Sequence, residues 1–154
     1  MYSILLATHS LFRWLVLISL LYAIFIGYRG WLSARTFTSR DNQVRHITAT
    51  ISHIQFLIGL YLYFISPIVA YFLQNFKIAV HERILRFFGM EHITMMLIAI
   101  VVITFGSIAA KRKASDVEKF KTMAIWYTIA FVIIFLSIPW AFSPFASRPY
   151  FRPF

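Results

Sequence analysis

The sequence of 154 residues contains no cysteine. Disulfides, thiolate zinc sites, cysteine-ligated iron–sulfur clusters and covalent c-type haem attachment are therefore excluded. Acidic residues are also scarce, five against fifteen lysines and arginines, so a metal site built from carboxylates is not expected. Glycine-rich nucleotide loops, an HExxH zinc motif and a Ser-His-Asp arrangement in a motif context are missing as well, which leaves few common enzyme classes open.

Apolar residues dominate what is present. They make up 60% of the chain, and only 13% of residues are charged, whereas about a quarter are charged in ordinary soluble domains. Mean hydropathy is +0.76. A soluble core of this size could not bury four long apolar blocks, but a bilayer can. The net charge of +10 fits basic loops that set membrane topology and contact anionic lipid, so membrane lipid is an expected partner and nucleic acid is not.

The apolar blocks predict an all-α protein, an integral membrane up-down four-helix bundle that forms a single domain. Each block is long enough for the roughly 20 residues of a membrane helix. The predicted spans are residues about 4–28, 45–66, 85–110 and 122–142. The first block has no basic region before it and contains Arg13, so we expect a retained helix rather than a cleaved signal.

Two segments lie outside these spans. Segment 67–84 could extend the second span as far as Phe76 or form an amphipathic helix on the outer surface. The terminal segment 147–154 contains two prolines and no periodicity, which predicts an irregular, aromatic-rich tail.

Basic residues are distributed unequally between the two faces of the predicted bundle. One face has nine, in the first and third loops: Arg29, Arg35, Arg40, Arg45, Lys111, Arg112, Lys113, Lys119 and Lys121. The opposite face has five: Lys77, Arg83, Arg86, Arg148 and Arg152. The positive-inside rule therefore places the first and third loops in the cytoplasm and both termini outside.

Three histidines, His9, His53 and His92, lie within the apolar blocks. An ionisable side chain inside a membrane helix is a candidate functional residue, and imidazole is a common ligand of haem and of metals. His46 and His81 adjoin charged residues at the ends of blocks, where ordinary interfacial residues are expected. For His53, an interhelical hydrogen bond is as plausible as a ligand or quinone contact.

Depth in the membrane favours His9 and His92 as a ligand pair. Both follow the outer ends of helices that run inward, whereas His53 belongs to a helix that runs outward and is offset from them by roughly 12–14 Å on the rise per residue. Spans one and three are expected to face each other across the core, where bundles hold cofactors. The sequence therefore predicts a single haem b with His9 and His92 as its metal ligands, and a quinone contact or helix–helix hydrogen bond for His53.

Arg13 is four residues after His9 and lies on the same helix face. A guanidinium at this depth is costly unless it is paired or reaches water. It could bind a haem propionate or a quinone oxygen, or it could form a structural ion pair with Glu91.

Four segments together resemble a family of small four-span bacterial membrane proteins labelled "cytochrome b". They are HSLFRW in span one, SHIQFLIGLYLYFISP in span two, RFFGMEHITMMLIAIVVITFG in span three and FLSIPW in span four. The resemblance covers nearly the whole chain and implies b-type haem and a role in electron transfer or membrane anchoring in bacteria. Together with the charge bias, it predicts the bacterial inner membrane with both termini periplasmic. On matching positions it points to His9, His53 and His92.

Three functions remain open. The first is a haem-b electron-transfer subunit that exchanges electrons with quinone and works beside other membrane-protein subunits. The second is a non-redox structural or accessory subunit of a larger membrane complex, in which buried polar groups hold helices together. The third is a transporter of a transition metal or haem. Whether the protein is itself an enzyme is left open by the sequence.

Overall fold

The computed structural model describes residues 1–143 and residue 146, and every regular element in this part of the chain is a helix. Four helices are long and apolar enough to cross a membrane: α1 (Tyr2–Leu32), α2 (Ser39–Ile65), α5 (Arg83–Arg112) and α6 (Asp116–Ser137). Two short helices, α3 (Pro67–Gln74) and α4 (Phe76–Ala79), lie between α2 and α5. The predicted all-α helical bundle of a multi-pass membrane protein is confirmed.

Helix starts on the basic face are fixed by side-chain caps. The Thr38 hydroxyl accepts a hydrogen bond from the Asp41 N–H, and the Asp41 carboxylate accepts one from the Thr38 N–H. Ser115 caps α6 in the same way by accepting a hydrogen bond from the Glu118 N–H. These caps satisfy backbone donors that helix starts leave free, so both helices begin well before their apolar blocks.

Proline sets the outer ends of α2 and α6. Ser66 and Ile138 are extended, with ψ of 124° and 132°, because the residue before a proline is pushed out of the helical region. The extension of α2 to Phe76 is therefore wrong, since the chain turns at Ser66 and starts α3. Helix α6 likewise ends at Ser137, short of the predicted boundary at 142, and the predicted irregular tail over 147–154 lies outside the described residues.

The four long helices form a square. Helix α1 packs against α2 and α6, and α5 packs against the same two helices, so α1 and α5 lie diagonally opposite, as the sequence predicts. Large side chains such as Leu20, Ile103 and Tyr127 are fully buried in the centre. Others, including Phe25 and Phe105, are about 60% exposed on the outside, as a lipid-facing surface requires.

Glycine permits a close approach between α1 and α6. A Cβ atom built on Gly27 would lie 3.0 Å from Cβ of Ala124 and 3.1 Å from its Cα and N. Small residues at such a crossing let two membrane helices approach closely. The van der Waals contacts between the helices then stabilise their association, which contact with lipid does not provide.

Helix α5 contains one π-helical turn, Phe87–Glu91, immediately before His92. The wider turn is accompanied by a hydrogen bond from the Tyr63 hydroxyl to the Gly89 carbonyl oxygen at 2.9 Å. Gly89 also leaves room for the ring of Phe72 from α3, which a Cβ atom there would overlap. Single π-turns of this kind are frequent at functional sites, and this one ends directly before His92.

Candidate functional site

His92 is held in one tautomer by the end of α6. Its Nδ1 lies 2.9 Å from the carbonyl oxygen of Ser137. Since a carbonyl can only accept, Nδ1 carries the proton and Nε2 keeps its lone pair. A histidine ligand is usually oriented by this kind of hydrogen bond from its other nitrogen. Phe87 and Phe88 cover the ring, with centroids 5.6 Å and 6.5 Å from the His92 centroid.

His9 projects from α1 onto α2, where it rests against Gly59. A Cβ atom at position 59 would come within 2.8 Å of Cε1 of His9, so the ring needs a glycine there. Gln55 donates a hydrogen bond from Nε2 to the main-chain oxygen of His9 at 2.9 Å, and the same Nε2 is 3.5 Å from Nε2 of the ring. Nδ1 of His9 is buried and has no hydrogen-bond partner within the described part of the chain. A buried polar atom in this state suggests a ligand.

Arg13 lies between two tryptophans. Its guanidinium carbon is 5.5 Å from the ring centroid of Trp14 and 5.6 Å from that of Trp140, and Nη2 is 3.5 Å from the hydroxyl oxygen of Ser10. Cation–π contacts of this kind stabilise a guanidinium in an apolar setting.

The predicted ion pair between Arg13 and Glu91 is wrong. Glu91 instead accepts a hydrogen bond from Nε of Arg86 at 2.6 Å, one turn earlier on its own helix. The π-turn lies between these two residues and brings their side chains together. In a regular α-helix, residues five positions apart do not share a face.

His9 and Arg13 are four residues apart on α1, and His92 lies on α5, the helix diagonally opposite α1 in the bundle. Two imidazoles from different helices match the donor set of a bis-histidine haem, and a nearby guanidinium matches its propionates. The free lone pair on His92 and the unpartnered nitrogen of His9 show that the residues present fit this group. In residues 1–143 and 146, no cluster of three or more His, Asp or Glu side chains could hold a metal ion on its own.

His53 lies apart from this group. Its Nδ1 is 2.6 Å from the Ala49 carbonyl oxygen, and its Nε2 is 3.0 Å from the hydroxyl oxygen of Thr104 on α5. Thr104 is about 18 Å farther along α5 than His92, from a rise of 1.5 Å per residue. His53 thus forms the helix–helix hydrogen bond that the sequence offered as one of its alternatives.

The sequence predicts Arg45 as one of the basic residues of the first loop, but in the structure Arg45 is buried and only 5% exposed. Its guanidinium donates to the carbonyl and hydroxyl oxygens of Ser107 on α5 and to Oδ1 of Asn42. Its own carbonyl accepts a hydrogen bond from the Tyr127 hydroxyl on α6 at 2.6 Å. Arg45 therefore links α2, α5 and α6 through hydrogen bonds. Its position at the start of an apolar block was the only signal in the sequence.

His46 and His81 are exposed, in keeping with ordinary interfacial positions. No family model, no curated protein and no solved structure matches this chain.

Proposed function

We propose that the protein is a haem-b-binding membrane subunit that takes part in electron transfer. The observation that carries the proposal is the hydrogen bond between Nδ1 of His92 and the Ser137 carbonyl, which leaves Nε2 as a possible ligand on the helix diagonally opposite that of His9 and Arg13. His9 and His92 would hold the haem iron through their imidazole nitrogens, and Arg13 would hold the propionates. When bound, the haem supplies one-electron exchange.

The protein's own residues prepare this site. Ser137 keeps Nε2 of His92 unprotonated, which is the form an iron ligand requires. The rings of Phe87 and Phe88 exclude water on one side of His92, and Gly59 admits the ring of His9. Because four helices are long and apolar enough to cross a membrane, we infer that a membrane quinone and neighbouring membrane-protein subunits exchange electrons with the protein.

A non-redox accessory subunit is the second candidate. It is favoured by the number of buried polar groups that link helices, among them His53 to Thr104, Arg45 to Ser107 and Tyr63 to Gly89. Such interhelical hydrogen bonds stabilise membrane bundles by about 0.6 kcal/mol each, without any cofactor.

The optical spectrum of the purified protein separates these candidates. We expect the reduced-minus-oxidised spectrum to show the bands of a six-coordinate b-type haem, at one haem per chain by pyridine haemochrome assay. Protein that is folded and produced with an adequate haem supply, yet shows no such bands, would leave the accessory-subunit function in place.

We further propose that the protein lies in a bacterial inner membrane, with its basic loops in the cytoplasm and both termini in the periplasm. Of the fifteen lysines and arginines, nine are assigned to one face by the sequence and five to the other, and Arg13 lies within the first span. Since the chain has no cysteine, single cysteines can report this directly. A Ser39→Cys variant should resist a membrane-impermeant maleimide in intact cells and react after lysis. His81→Cys, exposed on the opposite face, should react without lysis; the reverse pattern contradicts the orientation.

A further inference from the structure

A groove between α2 and α5 opens to the outside of the bundle beside His53. Its volume is about 330 Å³, and His53 and Thr104 are its polar residues. The walls are apolar and include Phe56, Leu57, Val101 and Phe105. Leu57 and Phe105 are each 61% exposed, so in a membrane the groove faces lipid. A ligand that enters it therefore has to be soluble in the bilayer.

His53 and Thr104 in this groove have one hydrogen-bond donor fewer than the acceptors around them require. The Nδ1 proton of His53 is committed to the Ala49 carbonyl, which leaves Nε2 as an acceptor. The only hydroxyl proton of Thr104 has two acceptors, the Ile100 carbonyl oxygen at 2.6 Å and Nε2 of His53 at 3.0 Å. When Thr104 bonds the nearer carbonyl, Nε2 is left as an acceptor at the edge of an apolar groove, where a bound donor is worth most.

We propose that this groove binds the ring of a lipid-soluble quinol, with one ring hydroxyl donating to Nε2 of His53. A quinol has the three properties that the groove requires: solubility in lipid, a flat ring that can lie against Phe56 and Phe105, and a hydroxyl that supplies the missing proton. A lipid acyl chain satisfies the walls but not Nε2. An oxidised quinone has only acceptors, so the groove selects the reduced form.

The geometry of the groove is independent of haem, but its purpose rests on the proposed electron-transfer function. The groove is adjacent to the inner part of α5, about 18 Å along that helix from His92. The quinol site and the candidate haem site are therefore separate and can be tested separately.

The test uses the full chain in lipid nanodiscs, with decylubiquinol kept reduced under anaerobic conditions as the probe. The quantity measured is the probe bound per protein above that in empty nanodiscs of the same lipid. We expect saturable binding, and the quinol should bind roughly 2- to 10-fold more tightly than decylubiquinone, the range for one hydrogen bond. Binding that does not exceed empty nanodiscs, or that favours the oxidised form, would overturn the proposal.

Two variants locate the site. His53→Phe keeps a ring but removes the acceptor, and it should abolish the preference for quinol over quinone. Leu57→Trp fills the exposed groove without touching the bond between His53 and Thr104, and it should weaken binding of both forms at least tenfold. His46→Phe, an exposed histidine on the same helix, is the matched control and should bind as the wild type does.

The outcomes separate the two proposals. Haem bands with equal quinol binding in all three variants would show simple partition or acyl-chain occupancy, which overturns the quinol site and leaves the haem. The opposite outcome is a protein without haem bands in which both His53→Phe and Leu57→Trp impair quinol binding. That result would retain the quinol site and overturn the proposed electron-transfer subunit.

Discussion

Replacing His92 with glycine is expected to abolish the haem bands of the purified protein, and replacing His9 with glycine should do the same. A haem iron held by two histidines needs both of them, and His53 instead contacts Ala49 and Thr104. The measurement is the reduced-minus-oxidised spectrum at equal protein concentration, together with the haem content of each variant. Loss should exceed tenfold in haem per chain.

Added imidazole distinguishes a ligand from a residue that only supports the fold. The space left by a His92→Gly change is lined by Phe87 and Phe88 and can admit free imidazole, which should restore the six-coordinate spectrum. A purely structural histidine would not give rescue of this kind.

His53→Gly and His46→Gly are the matched controls, and both should keep the haem bands. His53 bonds Thr104, far along α5 from His92, and His46 is exposed. If His53→Gly removed the bands while His9→Gly kept them, the proposed ligand pair would be wrong.

A Gly27→Leu substitution is expected to lower the free energy of unfolding by about 1–3 kcal/mol, the range for overpacking a close contact. The new side chain would meet the backbone of Ala124, which cannot move aside as a flexible side chain can. Helices α1 and α6 would then have to separate, and α6 also carries the carbonyl of Ser137 that orients His92. Chemical denaturation in detergent micelles, followed by tryptophan fluorescence, measures the change.

Phe25→Leu is the control for this prediction. It places the same side chain two residues away on the lipid-facing side of α1, where Phe25 is 58% exposed. Exposed substitutions usually change stability by less than about 0.5 kcal/mol. Equal effects of the two substitutions would mean that the crossing at Gly27 does not stabilise the bundle.

The four long helices follow from the sequence because apolar length alone decides whether a segment spans a bilayer. Pro67 and Pro139 end α2 and α6 through the residue before each proline, but the predicted spans left the end of α2 open and continued the fourth helix to 142. The diagonal placement of α1 and α5 follows from the up-down order of the four spans. These features depend on local sequence or on simple connectivity.

The details of the polar contacts do not follow from the sequence. Arg45 lies at the start of an apolar block, so hydropathy cannot tell an exposed cation from one that is buried against Ser107. The partner of Glu91 depends on the π-turn, which no residue pattern in Phe87–Glu91 announces. Likewise, Thr104 is one of several threonines in apolar surroundings, and only its placement opposite His53 gives it a role.

The π-turn also divides α5 into two parts that are out of phase. The turn contains one residue more than an α-helical turn. The segment before Phe87 is therefore rotated about the helix axis by roughly 100°, compared with a regular α-helix continued backwards from His92. Deleting a single residue from Phe87–Glu91 would restore a regular helix and turn Arg83–Arg86 about the axis, away from α3. The inner two-thirds of α5, held by α2 and α6, would stay in place. A deletion in this turn therefore rotates the N-terminal end of α5. The rotation changes the surroundings of His92, but the residues of α6 that contact His92 stay the same.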